Sequence, residues 1–121
     1  MTLEEFEGSV AQAFESLPSD VADLIENVDI LIQDFPTPSQ MRENGIGSQY
    51  GLLGLYEGIP LPDRGHGYGN VLPDRIIIFR KPLEASVTSE DRLLEEIRCT
   101  VIHEVGHYFG FGDDWLHSHG L

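Results

Sequence analysis

The sequence predicts an α+β domain with a small sheet. Three observations carry that prediction. Apolar residues recur at helical spacing in the opening segment and again in a long segment near the C terminus. Three short apolar runs with strand character lie between them. Glycine- and proline-rich stretches separate those runs. A chain of 121 residues suits one domain, spanning 1–121, with a modest core.

The opening helix is predicted from about Leu3 to Leu17. Thr2 and Glu5 form a capping-box pattern, and Leu3, Phe6, Val10, Ala13, Phe14 and Leu17 mark one apolar face. Pro18 ends it, and Ser19 can cap a short second helix over Asp20 to Glu26. The run from Val28 to Gln33 reads as a strand with a strongly buried face, stopped by Pro36 and Pro38. Residues 37–50 read as loop. Leu52 to Tyr56 is a second strand, ended by Glu57-Gly58. A longer loop runs from Ile59 to Pro73. Its Gly65-His66-Gly67-Tyr68-Gly69-Asn70 piece opens no helix, which excludes a phosphate-binding loop. Arg75 to Arg80, around Ile76-Ile77-Ile78-Phe79, is the clearest strand.

The last major element is a helix from about Glu90 to Phe109. Thr88 or Ser89 can cap it, Glu90 and Asp91 suit its positive end, and Gly110 is placed as a left-handed terminator. Leu94, Ile97, Val101, Val105 and Tyr108 form its predicted buried stripe. A final turn is expected near Asp113 or Asp114.

Twenty-one acidic against seven basic residues give a net charge of −14. Such a surface repels phosphates and anionic lipid, so nucleic acid and membrane are not expected partners. A divalent cation or a basic peptide would be attracted, and the charge also favours solubility. The acidic start lacks the basic-then-apolar pattern of a secretory leader, so a cytoplasmic location is expected. The lone Cys99 excludes an internal disulfide and reads as a small packing residue.

The chemistry concentrates in His103-Glu104-Val105-Gly106-His107. Side chains four apart on a helix are about 40° and 6 Å apart, so both imidazoles can share one metal ion. Zinc takes imidazole nitrogen at about 2.0–2.1 Å in a four-ligand shell. Glu104, about 100° further round, can sit beside the ion and accept a proton from water there. Glu96 and Thr100 extend the stripe of His103 and His107, either supporting the ligands or simply solvated. Gly110 can turn the chain so that Asp113 reaches the same ion as third ligand, leaving a fourth position open. His117 and His119 are rival ligands near the terminus. One zinc ion per chain is the expected cofactor, although nickel, cobalt or manganese suits the same donors.

The run from His103 through Gly110 to Asp113 matches the pattern H-E-x-x-H-x-x-G-x-x-D and resembles the zincins. More closely, the chain from about Thr2 to Leu116 resembles the small bacterial minimal zincin family of possible zinc metallopeptidases. Leu53-Gly54-Leu55-Tyr56-Glu57-Gly58, Leu72-Pro73-Asp74-Arg75-Ile76 and the acidic opening helix carry that resemblance. It implies a zincin-like fold with a small mixed or antiparallel sheet and the metal on the long helix. It also implies hydrolysis of a peptide or protein substrate, with Glu104 as the catalytic base. By analogy with zincins, the strand at Arg75 to Arg80 is the candidate edge for pairing with an extended peptide, unless it is an ordinary core strand. Oxyanion stabilisation would fall to Tyr56, His66, Tyr68 or Tyr108. Eight residues follow Asp113, leaving no room for the Met-turn or C-terminal subdomain of larger metzincins. A protein partner, a second copy or a long loop is then expected to complete the cleft. The alternatives are a metal-binding domain that acts through a partner without catalysis, and hydrolysis of a non-peptide amide or ester.

Overall fold

A computed structural model describes residues 1–23, 25, 28–58, 74–112, 114 and 118. The chain forms α1 (Leu3–Glu15), α2 (Ser19–Ala22), β1 (Val28–Gln33), α3 (Pro38–Glu43), β2 (Gly54–Glu57), β3 (Asp74–Phe79), α4 (Arg80–Ser86) and α5 (Glu90–Tyr108). The strands make one mixed sheet in the order β1-β3-β2. The predicted α+β class is the architecture found.

The sheet is organised by β3. It pairs parallel to β1, with Ile30 opposite Ile76, and antiparallel to β2, with Leu55 opposite Ile77. Residues alternate faces along a strand. Ile76 and Ile78 therefore join the main core with Phe6, Val10, Ile97, Val101 and Val105, while Ile77 and Phe79 pack with Leu55 on the other face. All four apolar residues of β3 are fully buried. The strand is therefore central, and it is β2 and β1 that flank it. This overturns the expectation that the strand at Arg75 to Arg80 offers an edge to a peptide. It also explains the unbroken apolar run, which a strand covered on both faces requires.

The strand at Val28 to Gln33 lacks the strongly buried face expected of it. As a flanking strand, β1 leaves Ile30 and Leu31 about two-fifths exposed (42% and 38%). Residues 37–50, expected to be loop, contain α3. Thr37 and Gln40 form a reciprocal capping box, and Pro38 occupies the first turn, where its missing N–H costs nothing. The predicted second helix is shorter than expected, its described part ending at Ala22. No expectation anticipated α4, which follows β3 directly and buries Pro82 and Leu83. Arg80 ties it down by an ion pair to Glu84 at 2.7 Å and a hydrogen bond to the Met1 carbonyl. The Ile59–Pro73 loop lies outside the described residues.

The capping box expected of α1 is present: Thr2 Oγ1 accepts from the Glu5 N–H at 3.1 Å, and Glu5 Oε1 from the Thr2 N–H at 3.0 Å. Its buried face, Phe6, Val10 and Ala13, meets α5. Ser89 caps helix α5, its hydroxyl accepting from the Arg92 N–H. Its buried stripe is Leu93, Ile97, Val101, Val105 and Tyr108, so Leu93 replaces the expected Leu94, which is 41% exposed. Both leucines fit helical spacing; the one four residues before Ile97 continues the i, i+4 row that faces the core.

This register is measurable. Leu93→Ala should lower unfolding stability by about 2–4 kcal/mol through an unfilled core volume. Leu94→Ala should stay within about 0.5 kcal/mol of wild type. Urea denaturation of the two variants compares them, and equal losses would contradict the rotation of α5 described here.

Candidate metal centre

The same rotation that buries Val101 and Val105 turns His103 and His107 toward a cleft of about 800 Å³. One wall is Asn44, Ile46 and Gly51 to Tyr56; α5 lines the cleft with Glu96, Cys99, Thr100, His103, Glu104 and His107; Gly110 to Gly112 close one end. The two Nε2 atoms face each other at 3.1 Å. A Glu104 carboxylate oxygen completes the group, with all three ligand atoms within 4.8 Å of one another. Glu104 is buried (6% exposed), whereas both histidines are half-buried.

A tetrahedral ion bound by two imidazoles at 2.0–2.1 Å would separate the nitrogens by about 3.3 Å. The distance found is close to that. The donor set, two neutral nitrogens with an adjacent carboxylate, is the kind zinc accepts. These residues therefore fit a zinc ion by geometry and by chemistry.

Close approach of β2 to α5 makes the arrangement possible. A Cβ on Gly54 would lie 2.6 Å from Thr100 Cγ2 and 3.2 Å from Glu104 Cγ. Only a residue without a side chain lets the strand settle over these two positions. Thr100 is itself buried, and its hydroxyl donates to the Glu96 carbonyl at 2.8 Å. It thus packs beneath β2 and its hydroxyl is directed back along its own helix. Glu96, half-buried, lines the cleft.

The helix ends in a Schellman motif. Gly110, at φ +87°, donates to the His107 carbonyl, and Phe111 donates to the Gly106 carbonyl, both at 2.9 Å. The chain thereby turns back, and Phe111 and Gly112 line the cleft beside the histidines. The expected third ligand, Asp113, follows immediately but lies outside the described residues, as do His117 and His119.

Two of the expected oxyanion donors have other commitments. The Tyr56 hydroxyl donates to Asp74 Oδ2 at 2.7 Å, and its ring meets Tyr108 edge-on at 6.0 Å between centroids. Tyr108 is 1% exposed and belongs to the buried stripe. His66 and Tyr68 lie outside the described residues. Cys99 departs from its expected packing role: it is exposed on the cleft side of α5, four residues before His103. The Asp74 partnership and the Gly54 contact had no counterpart in the sequence reading. The glycine in Leu53-Gly54-Leu55, interrupting a strand pattern, was the available signal.

Gly54→Ala should cost about 1–3 kcal/mol by forcing β2 off the helix. Thr100→Ser keeps the hydroxyl and removes the obstructing methyl, so the Gly54→Ala/Thr100→Ser double variant should recover part of the loss. Thermal unfolding of the set tests this, and additive losses would argue against the contact.

No helix among the described residues is long and apolar enough to cross a membrane. Comparison with curated proteins gave no match. The family model described as zincin-like metallopeptidase matches residues 25–121, which takes in all three strands and the whole of α5. With a paired-histidine helix packed against a three-stranded mixed sheet and a family match across most of its length, the chain belongs to the zincin-like metallopeptidase family.

Proposed function

We propose that the protein is a zinc-dependent peptidase in which His103, His107 and Asp113 hold the ion and Glu104 is the general base. The observation that carries this reading is the convergence of the two Nε2 atoms, 3.1 Å apart, beside a buried carboxylate in a peptide-sized cleft. Asp113 enters because the Schellman turn brings Gly112, the residue before it, to the cleft wall. When bound, zinc supplies Lewis-acid polarisation of a carbonyl and makes nearby water more acidic.

Glu104 accepts the proton of the attacking water as its oxygen bonds to the carbonyl carbon. It then delivers that proton to the amide nitrogen as the C–N bond breaks. Its burial keeps bulk water from competing for the proton, and β2 above it holds its aliphatic stem through Gly54. Tyr56 orients Asp74 and supports the strand.

The peptide itself is read along β2. Among the described residues this strand pairs on one side only, with β3, and Gly54, Leu55 and Tyr56 line the cleft. An extended substrate adding to its other side gains main-chain hydrogen bonds without needing a particular sequence. Substrate pairing thus moves from the central strand to β2.

Elemental analysis and a fluorogenic peptide assay test the proposal together. Wild-type protein should carry about one zinc per chain, and His103→Ala/His107→Ala should carry none. Glu104→Gln should retain the metal while turnover falls by at least about a hundredfold. Wild-type turnover in Glu104→Gln would remove that residue from the mechanism. Zinc binding with no turnover in the wild type would leave a metal-binding domain without catalysis of its own.

The third ligand has its own test. Asp113→Ala should weaken zinc binding by more than about tenfold in a competition titration with a chelator. Unchanged affinity would return the third position to His117 or His119.

A further inference from the structure

The described cleft lining holds only two carboxylates, Glu104 and Glu96, and no lysine or arginine. Glu104 stands beside the histidines. Glu96 stands seven residues before His103, which on a helix is nearly the same face and about 10.5 Å along the axis. Among the described residues Glu96 has no ion-pair partner: Arg92, one turn before it, pairs with Glu95 at 3.7 Å instead. Partial desolvation first, then the charges of Glu96 and Glu95, push the Cys99 thiol up against the opposing pull of Arg98.

A carboxylate in a cleft wall loses hydration when a peptide lies over it. A cationic side chain on that peptide compensates the loss, and an apolar or acidic one does not. We infer that Glu96 makes the cleft select peptides carrying a lysine or arginine, an inference that rests on the peptidase reading above. The shared site lies between His103 and His107, about 13.5 Å along the axis from Glu96, and an extended chain advances about 3.3 Å per residue, so the selected position is about four residues from the cut bond. Its side of the bond follows from direction. Gly54 lies over Thr100 and Glu104 while Tyr56 meets Tyr108, so β2 and α5 run the same way. A peptide pairing antiparallel to β2, the more stable ladder, runs from the His107 end toward Glu96. The lysine therefore lies C-terminal to the cut.

The test uses the full-length, zinc-loaded Glu104→Gln protein, which binds without cleaving. Fluorescent octapeptides that differ only by Lys, Ala or Glu at one position are titrated by anisotropy. The lysine peptide should bind about fivefold tighter than the alanine peptide, the upper end for one partly exposed ion pair, and the glutamate peptide should bind weakest. Adding Glu96→Gln should erase this order. Adding Glu95→Gln, which removes the same charge from an exposed neighbour, should leave it intact. Equal binding of the three peptides, no binding of any, or an order that survives Glu96→Gln overturns the inference. Cleavage of the lysine peptide by wild-type protein is read separately by mass spectrometry. Lysine on the C-terminal fragment supports the assignment and lysine on the N-terminal fragment overturns it. A Glu96-dependent order without cleavage would remove the peptidase reading and keep peptide selection. Cleavage without any order would do the opposite.

Discussion

The rotation of α5 about its own axis is the constraint on which the cleft depends. Leu93, Ile97, Val101, Val105 and Tyr108 lie along one side of that helix and are almost fully withdrawn from water. Burying each such side chain contributes about 1.5–3 kcal/mol, so turning the helix by even one residue would lose several of these contributions together. With that side committed to Ile76 and Ile78 of β3, the histidines have one direction left. They face the space under β2. The core thus sets the direction in which the imidazoles project.

The second requirement is proximity. A helix and a strand separated by ordinary side chains would leave Glu104 in a wide, wet groove. Gly54 removes that separation where Thr100 and Glu104 pass beneath the sheet. A buried carboxylate is costly unless neighbouring groups compensate it. Two imidazoles within reach, and a cation they are suited to bind, are such compensation. The helix terminus contributes as well: the Gly110 turn satisfies the last carbonyls of α5 and folds the following residues against the cleft. One helix therefore supplies a core face, a donor pair and, through its cap, an end wall.

Features that depend on residues within one or two turns were legible. The facing of His103 and His107 follows from helix pitch, the α1 cap from Thr2 and Glu5, and the terminator from Gly110. The α3 cap was equally local. Thr37-Pro38-Ser39-Gln40 carries both the capping pair and the helix-starting proline, yet the polar composition around it reads as loop. Leu93 and Leu94 show the limit of periodicity. Adjacent leucines both satisfy a helical pattern, and only the shape of the surface opposite distinguishes them. Cys99 illustrates the same limit from the other side, since its small apolar character suggested packing where the helix turns it to the cleft.

The amino-acid sequence by itself determined the two long helices and the three strands, and that two imidazoles and a carboxylate share one helical turn. These outcomes rest on backbone geometry and hydrogen bonds between residues a few positions apart. Tertiary structure alone decided which strand is central, because pairing partners such as Ile30 and Ile76 are far apart in the chain. It likewise gave the Tyr56 hydroxyl to Asp74, eighteen residues away, and placed a glycine of β2 against Thr100. Such contacts exist only once the sheet has closed over the helix, and no local pattern of side chains encodes the distance between two surfaces that meet only then.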